Sequence, residues 1–274
     1  MTKVGILFQS KIQTAGDLAK QMAAVVGDMD VEVWTCSAWD EDEAKEKAGK
    51  TDLVISLGGD GTILRAARVA SPLSIPILGV NLGRIGFMTE LNAGDALSKV
   101  PDFIKGKGWV EERAMLQAEL DTHGKPGFHA LNDVVLARGE RCRIIRVKAS
   151  VYGELFTVYR CDGVILATAT GSTGYALAAG GPVLHPDSRE ILMQPVAAHF
   201  SFGAALVLPA DAVLELEVNT THQAVLSVDG QVEIPVGDGD VVRVKRSPFV
   251  TRLLRAQRPV FFYGTLMKKL EKRE

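Results

Sequence analysis

Asp60 stands among glycines in the run Leu57-Gly58-Gly59-Asp60-Gly61-Thr62. Bare backbone of this kind turns sharply and lets an anion approach the main-chain N–H groups. A carboxylate at the centre of such a turn repels phosphate unless it has chemical work to do. That work is to accept a proton from an attacking hydroxyl or to help hold a metal. The local chemistry points to phosphoryl transfer with Asp60 at its centre. A tight turn with a helix cap is the plainer alternative, but diglycine, a carboxylate and a helix start converge here behind a buried strand. There is no Walker A pattern, so this turn would itself be the phosphate cradle.

Further clusters carry polar or stacking groups. Asn81-Leu82-Gly83-Arg84-Ile85-Gly86-Phe87-Met88-Thr89-Glu90 follows an apolar run, and Phe87 either stacks on a base or fills the core. Asn132-Asp133 either grips ribose hydroxyls or makes an ordinary turn. Thr168-Ala169-Thr170-Gly171-Ser172-Thr173-Gly174-Tyr175 concentrates hydroxyls and glycines ahead of Gly180-Gly181-Pro182, and Tyr175 offers a stacking face with a polar tip. It either encircles a polar ligand or is a plain Ser/Thr loop. Asp229-Gly230 reads best as a hairpin turn.

The elements that must position these groups fall into two patterns. Strand-like runs at Val4–Phe8, Val31–Trp34, Leu53–Ser56 and Pro76–Val80 alternate with helical spacing over Ile12–Val26, Glu41–Ala48, the stretch after Asp60, and Ala93–Ile104. That order predicts a parallel sheet covered by helices, with the Asp60 turn and the Asn81–Glu90 segment at its carboxyl edge. From Val110 onward the period is two, as in Ile145–Val151, Leu214–Val218 and Val241–Lys245, with turn signals at His123–Gly127 and Gly237–Asp240. The expected fold class is α/β plus all-β. An N-terminal Rossmann-like parallel α/β domain would span 1–105, and a C-terminal antiparallel β-sandwich-like domain 106–261. A terminal helix over 262–274 would pack back on the first domain.

Bulk properties narrow the function classes. The 31 basic and 33 acidic residues give a formal charge of −2, which argues against nucleic-acid binding by bulk charge. No apolar run reaches the ~20 residues needed to span a bilayer. No signal peptide is visible before Val4, and Cys36, Cys142 and Cys161 are dispersed, so a reducing cytoplasm is expected.

Taken together and in this order, the segments resemble the NAD kinase family over essentially the whole chain. The glycine-rich Asp turn alone does not single it out, since diacylglycerol and sphingosine kinases carry one too. The Asn-x-Gly-x-x-Gly-Phe segment, the Asn-acid pair, the Thr-Gly-Ser-Thr loop and the Gly-Gly-Pro make the resemblance specific. It implies phosphorylation of the adenosine ribose 2′-hydroxyl of NAD to NADP, from ATP or inorganic polyphosphate, with a divalent metal such as magnesium held through the donor phosphates. By that resemblance Asp60 is the general base or hydroxyl-orienting group. Gly58, Gly59, Gly61 and Thr62 approach the donor phosphates, with Arg65 as a charge partner. Asn132 and Asp133 hold the acceptor ribose. Thr173, Gly174, Tyr175, Ala176, Leu177 and Ala178 line the adenine and ribose pocket. Arg143, Arg160, Asp162, Ala197 and Gln231 complete the dinucleotide site, with Phe87 and Thr170 also placed against nucleotide. A homodimer or homotetramer is implied, with no nucleic-acid or membrane partner.

Three positions depart from the family pattern. Asp133 stands where the family usually has Glu, Gly174 where it has Ala, and Ala204-Ala205 where it has Arg-Pro. Asp133 keeps the charge and loses about one methylene of reach. Gly174 loosens its loop. Arg160 implies a preference for NAD over NADH. A lipid kinase and a non-turnover dinucleotide sensor are the rival readings, although no basic amphipathic helix offers a membrane surface.

Overall fold

The computed structural model describes residues 1–83, 86–121, 127–139, 143–199, 201–256, 263–264 and 266–267. The expected turn at His123–Gly127 lies outside these except for Gly127, as do most of the expected terminal helix, Cys142, Arg84 and Ile85. The chain divides into two compact units. One is Met1–Glu112 with the segment from Phe249 on, and the other is Arg113–Pro248.

In the first unit β1 (Lys3–Phe8), α1 (Gln13–Gly27), β2 (Glu32–Ser37), α2 (Glu41–Lys47), β3 (Leu53–Leu57), α3 (Asp60–Ala70) and β4 (Ile77–Asn81) alternate as the periodicity predicts. A two-residue β5 (Leu91–Asn92) and α4 (Ala93–Ile104) follow. The strands pair in parallel in the order β2-β1-β3-β4. β3 and β4 are buried throughout because helices cover both faces, so they read as unbroken apolar runs rather than alternations. α1 turns Ala15, Ala19, Met22 and Val26 inward at helical spacing. The register aligns Phe8 with Ser37 and Leu57, and Leu57 with Val80. The carboxyl ends therefore finish level, and the strand order reverses between β1 and β3, where open α/β sheets bind ligands. The Asp60 turn leaves the sheet at that point.

The second unit is antiparallel. β6 (Trp109–Leu120), which begins in the first unit, pairs with β7 (Phe128–Ala130). One sheet carries β9 (Ile145–Val151), β10 (Glu154–Cys161), β14 (Leu214–Asn219) and the start of β17 (Val241–Arg255), in the order β10-β9-β14-β17. The other runs β13-β12-β11-β8-β15-β16, with β8 (Asp133–Arg138), β11 (Gly163–Ala167), β12 (Ile191–Val196), β13 (Leu206–Leu208), β15 (Ala224–Val228) and β16 (Val232–Val236). Alternate residues from both sheets, among them Val134, Leu136, Val147, Val164, Leu166, Leu216 and Val242, share one core, which makes the unit a sandwich. The other face of β11, through Ile165 and Ala167, packs with Val135, Ala176 and Leu192. Ala176 belongs to α5 (Tyr175–Ala178), a single helical turn covering that face.

Candidate functional site

In the first unit, Gly58 donates its N–H to the Val80 carbonyl at 2.9 Å, which ties the turn to the sheet edge. A Cβ on Gly58 would lie 2.1 Å from Thr62 Oγ1, so only glycine lets the buried Thr62 fold back under the turn. Gly59 is the N-cap of α3 and Asp60 its first residue. The carboxylate therefore sits at the positive end of the helix dipole. Each of its oxygens accepts a backbone N–H, Oδ2 from Phe87 at 2.8 Å and Oδ1 from Met88 at 3.0 Å. The remaining lone-pair directions are available to a hydroxyl. Gly86 allows this closeness, because a Cβ there would fall 2.1 Å from Oδ1.

The segment holding Asp60 is itself braced. Asn81 closes an Asx turn on Gly83, and the Gly86 N–H donates to Thr89 Oγ1 at 3.1 Å. Phe87 is half-buried beside this bracing. Arg65, one turn beyond Gly61 on the same helix face, has its guanidinium 4.4 Å from the centre of the Trp39 ring. Burial, then the like charge of Arg68, lower the Arg65 pKa, while Glu41 opposes them. The Gly58–Thr62 turn, Arg65 and Phe87 are thus gathered at one sheet edge.

In the second unit, Asn132 and Asp133 stand at the head of β8. Asp229 holds them, its carboxylate accepting the N–H groups of Leu131 (2.8 Å), Asn132 (2.7 Å) and Asp133 (3.0 Å). Asp229 and Gly230 both take positive φ, +52° and +62°, in the tight hairpin between β15 and β16. The hairpin expected from sequence is present, and its acid has a second duty that Asp-Gly did not announce. On the other side, the Thr168 N–H donates to the Asn132 carbonyl and Thr168 Oγ1 to that of Leu131. A Cβ on Gly171 would lie 2.0 Å from the Asn132 carbonyl oxygen, so the loop glycine seats the pair. Burial, and then the charge of Asp229, push the Asp133 carboxyl up to about 7.

A groove of about 510 Å³ runs along β8 and β15, lined by Asn132, Asp133, Val135, Ala137, Arg138, Gly139, Tyr175, Val225, Ser227, Asp229, Gly230 and Glu233. Its floor is the length of a six-residue strand, ~17 Å. Tyr175 is 47% exposed at its rim. The loop hydroxyls are largely committed to local backbone: Ser172 donates to Ala169 and Thr173 to Thr170, while Thr170 Oγ1 accepts from the buried Arg113. Ala176 is fully buried, Leu177 half-buried and Ala178 exposed. At the far end of β8, Arg138 pairs with Asp162 at 3.3 Å, and the Asp162 N–H donates to Val196 beside Ala197. The exposed Arg160 accepts the His199 N–H through its carbonyl. Gln231 closes the β15–β16 hairpin, and Arg143 lies exposed ahead of β9. Sequence reasoning did not single out Arg138 or Arg113, whose partners lie across strands. For Asp229 the only signal was a turn.

The relationships of the chain identify its family. Residues 4–107 match the family model described as ATP-NAD kinase N-terminal domain, and residues 131–256 that described as ATP-NAD kinase C-terminal domain. The NAD kinase of Dehalococcoides mccartyi is 43% identical over 272 residues, covering 98% of this chain and 96% of that protein. The NAD kinase of Chloroflexus aggregans is 44% identical over 223 residues, 81% of each. The crystal structure of an NAD kinase from Archaeoglobus fulgidus in complex with ATP superposes with a TM-score of 0.79 at 26% identity over the full length of both chains. The yeast NADH kinase complexed with NADH shares the fold, with a TM-score of 0.81 at 24% identity over all of this chain and 89% of that one. The chain belongs to the NAD kinase family.

Proposed function

We propose that this chain transfers the terminal phosphate of ATP to the 2′-hydroxyl of the adenosine ribose of NAD, giving NADP. The observation that carries the reading is Asp60, a carboxylate fixed by two backbone amides at the first turn of a helix, beside bare glycine backbone at a sheet switch point. In-line attack by an alcohol on a phosphorus leaves little covalent chemistry to the protein, so positioning and charge stabilisation dominate. Asp60 orients the hydroxyl and takes its proton. Gly58, Gly59, Gly61 and Thr62 approach the donor phosphates, with the Arg65 charge nearby. Asn132 and Asp133 hold the acceptor ribose and Tyr175 stacks on adenine. Arg143, Arg160, Asp162, Ala197 and Gln231 complete the dinucleotide site. A divalent ion such as magnesium would be held through the donor phosphates and would neutralise their charge.

The enzyme works in the cytoplasm as a homo-oligomer, and Arg160 favours NAD over NADH. Purified protein assayed for NADP formation, with ATP or polyphosphate as donor and NAD or NADH as acceptor, tests the reading. NADP formed from NAD, with weaker use of NADH, is the expected result. Saturable NAD binding without turnover across donors and metals overturns it.

A further inference from the structure

The short backbone that holds Asp60 is gripped from its other side. The peptide joining Phe87 to Met88 donates its N–H to Asp60 Oδ1 at 3.0 Å, and its carbonyl accepts a longer contact from Arg255 Nη2 at 3.5 Å. The next carbonyl, that of Met88, accepts from Arg255 Nη1 at 2.8 Å. Arg255 is the last residue of β17 and is 7% exposed. Its Nε donates to Glu111 Oε2 at 2.7 Å, and its Nη1 lies 3.4 Å from Glu90 Oε2. The Ala256 N–H donates to the other Glu90 oxygen at 2.9 Å. A planar guanidinium forked between two carboxylates and two carbonyls has one orientation. A peptide is a rigid plane, so fixing its carbonyl fixes where its N–H points.

We propose that Arg255 is a positioning residue for phosphoryl transfer. It clamps the carbonyl side of the Phe87–Met88 backbone and so sets the Met88 amide, one of the two that aim the Asp60 carboxylate. This rests on the reading of Asp60 given above. Lysine, a flexible point charge, cannot make the same fork. The test is a double-mutant cycle on the full chain, with kcat and KM for ATP and NAD measured for Arg255→Lys, Asp60→Asn and the pair.

Misaiming by a fraction of an ångström should lower kcat of Arg255→Lys by about 10-fold to 100-fold. Both KM values should stay within about threefold of the parent. In the Asp60→Asn background the same substitution should change the residual kcat by less than about twofold, because nothing is left to aim. A purely structural role gives equal falls in both backgrounds. That result, a change confined to KM, or an unaltered kcat in a folded Arg255→Lys overturns the proposal. If Arg255→Lys does not fold, Glu111→Gln, which keeps an acceptor for Nε, goes through the same cycle and is judged by the same results. Near-normal kcat in Asp60→Asn alone defeats the reading of Asp60, and the proposal with it. Additivity with a strongly impaired Asp60→Asn defeats only the proposal.

Discussion

Each Asp60 oxygen accepts a backbone amide, so for the proposed reaction the carboxylate is aimed in advance and needs no rearrangement. Asp60→Asn keeps the size but sets an NH₂ against one of those N–H donors and removes the proposed base. Its kcat should fall roughly 10²–10⁴-fold with KM little changed, in steady-state kinetics. Asp133 carries a different lesson. Its carboxyl is raised from 3.8 to about 7, chiefly by burial. Between those values the folded chain keeps a proton that the unfolded chain has released. Stability is therefore greatest at low pH and is lost as pH rises toward about 7, with no further loss from this group above it. Melting temperature should decline from pH 5 to 7.5, and Asp133→Asn should flatten that slope. If Asp133 holds the ribose as proposed, its hydroxyls donate to the ionised form, so KM for NAD should fall over the same rise in pH, and the substitution should remove that trend too.

In the proposed reaction the helix start after β3 serves chemistry at a cost to itself. Gly61 is exposed in α3, and a Cβ there would meet nothing within 4 Å. Alanine would favour the helix by about 0.5–1 kcal/mol. Gly61→Ala should therefore raise the melting temperature while lowering kcat/KM for ATP; unchanged kinetics would mean that the bare surface is not used. The β15–β16 hairpin is the counterpart in the second unit. Asp229→Ala would strip an acceptor from three N–H groups, at about 1–3 kcal/mol for each one left unsatisfied. A lower melting temperature and a higher KM for NAD should appear together. The strand–turn–helix around Asp60 and the period-two strands were legible because periodicity and glycine placement are local signals. Arg138–Asp162 and Arg255–Glu111–Glu90 were not, because bonds between residues distant in sequence leave no local period. β10 was obscured for another reason. Its bulge between Leu155 and Thr157 breaks the alternation, and apolar residues stand on its exposed side.

For the whole molecule, that exposed side is the feature that bears on assembly. β10 is the edge strand of its sheet among the described residues, and Leu155, Phe156 and Val158 are 57%, 39% and 43% exposed. Phe156 meets Phe202 edge to face, with ring centroids 5.4 Å apart. An apolar row on a sheet edge invites another chain. Val158→Lys should lower the molar mass seen by light scattering, with the parent running as an oligomer; identical masses would remove this strand from the interface. The bracing of Asp60 has a consequence in time. Its parts lie at positions 60, 87–90, 111 and 255, so a ribosome must pass position 255 before the last of them emerges. A product that stops short of Arg255 lacks this grip on the Phe87–Met88 backbone.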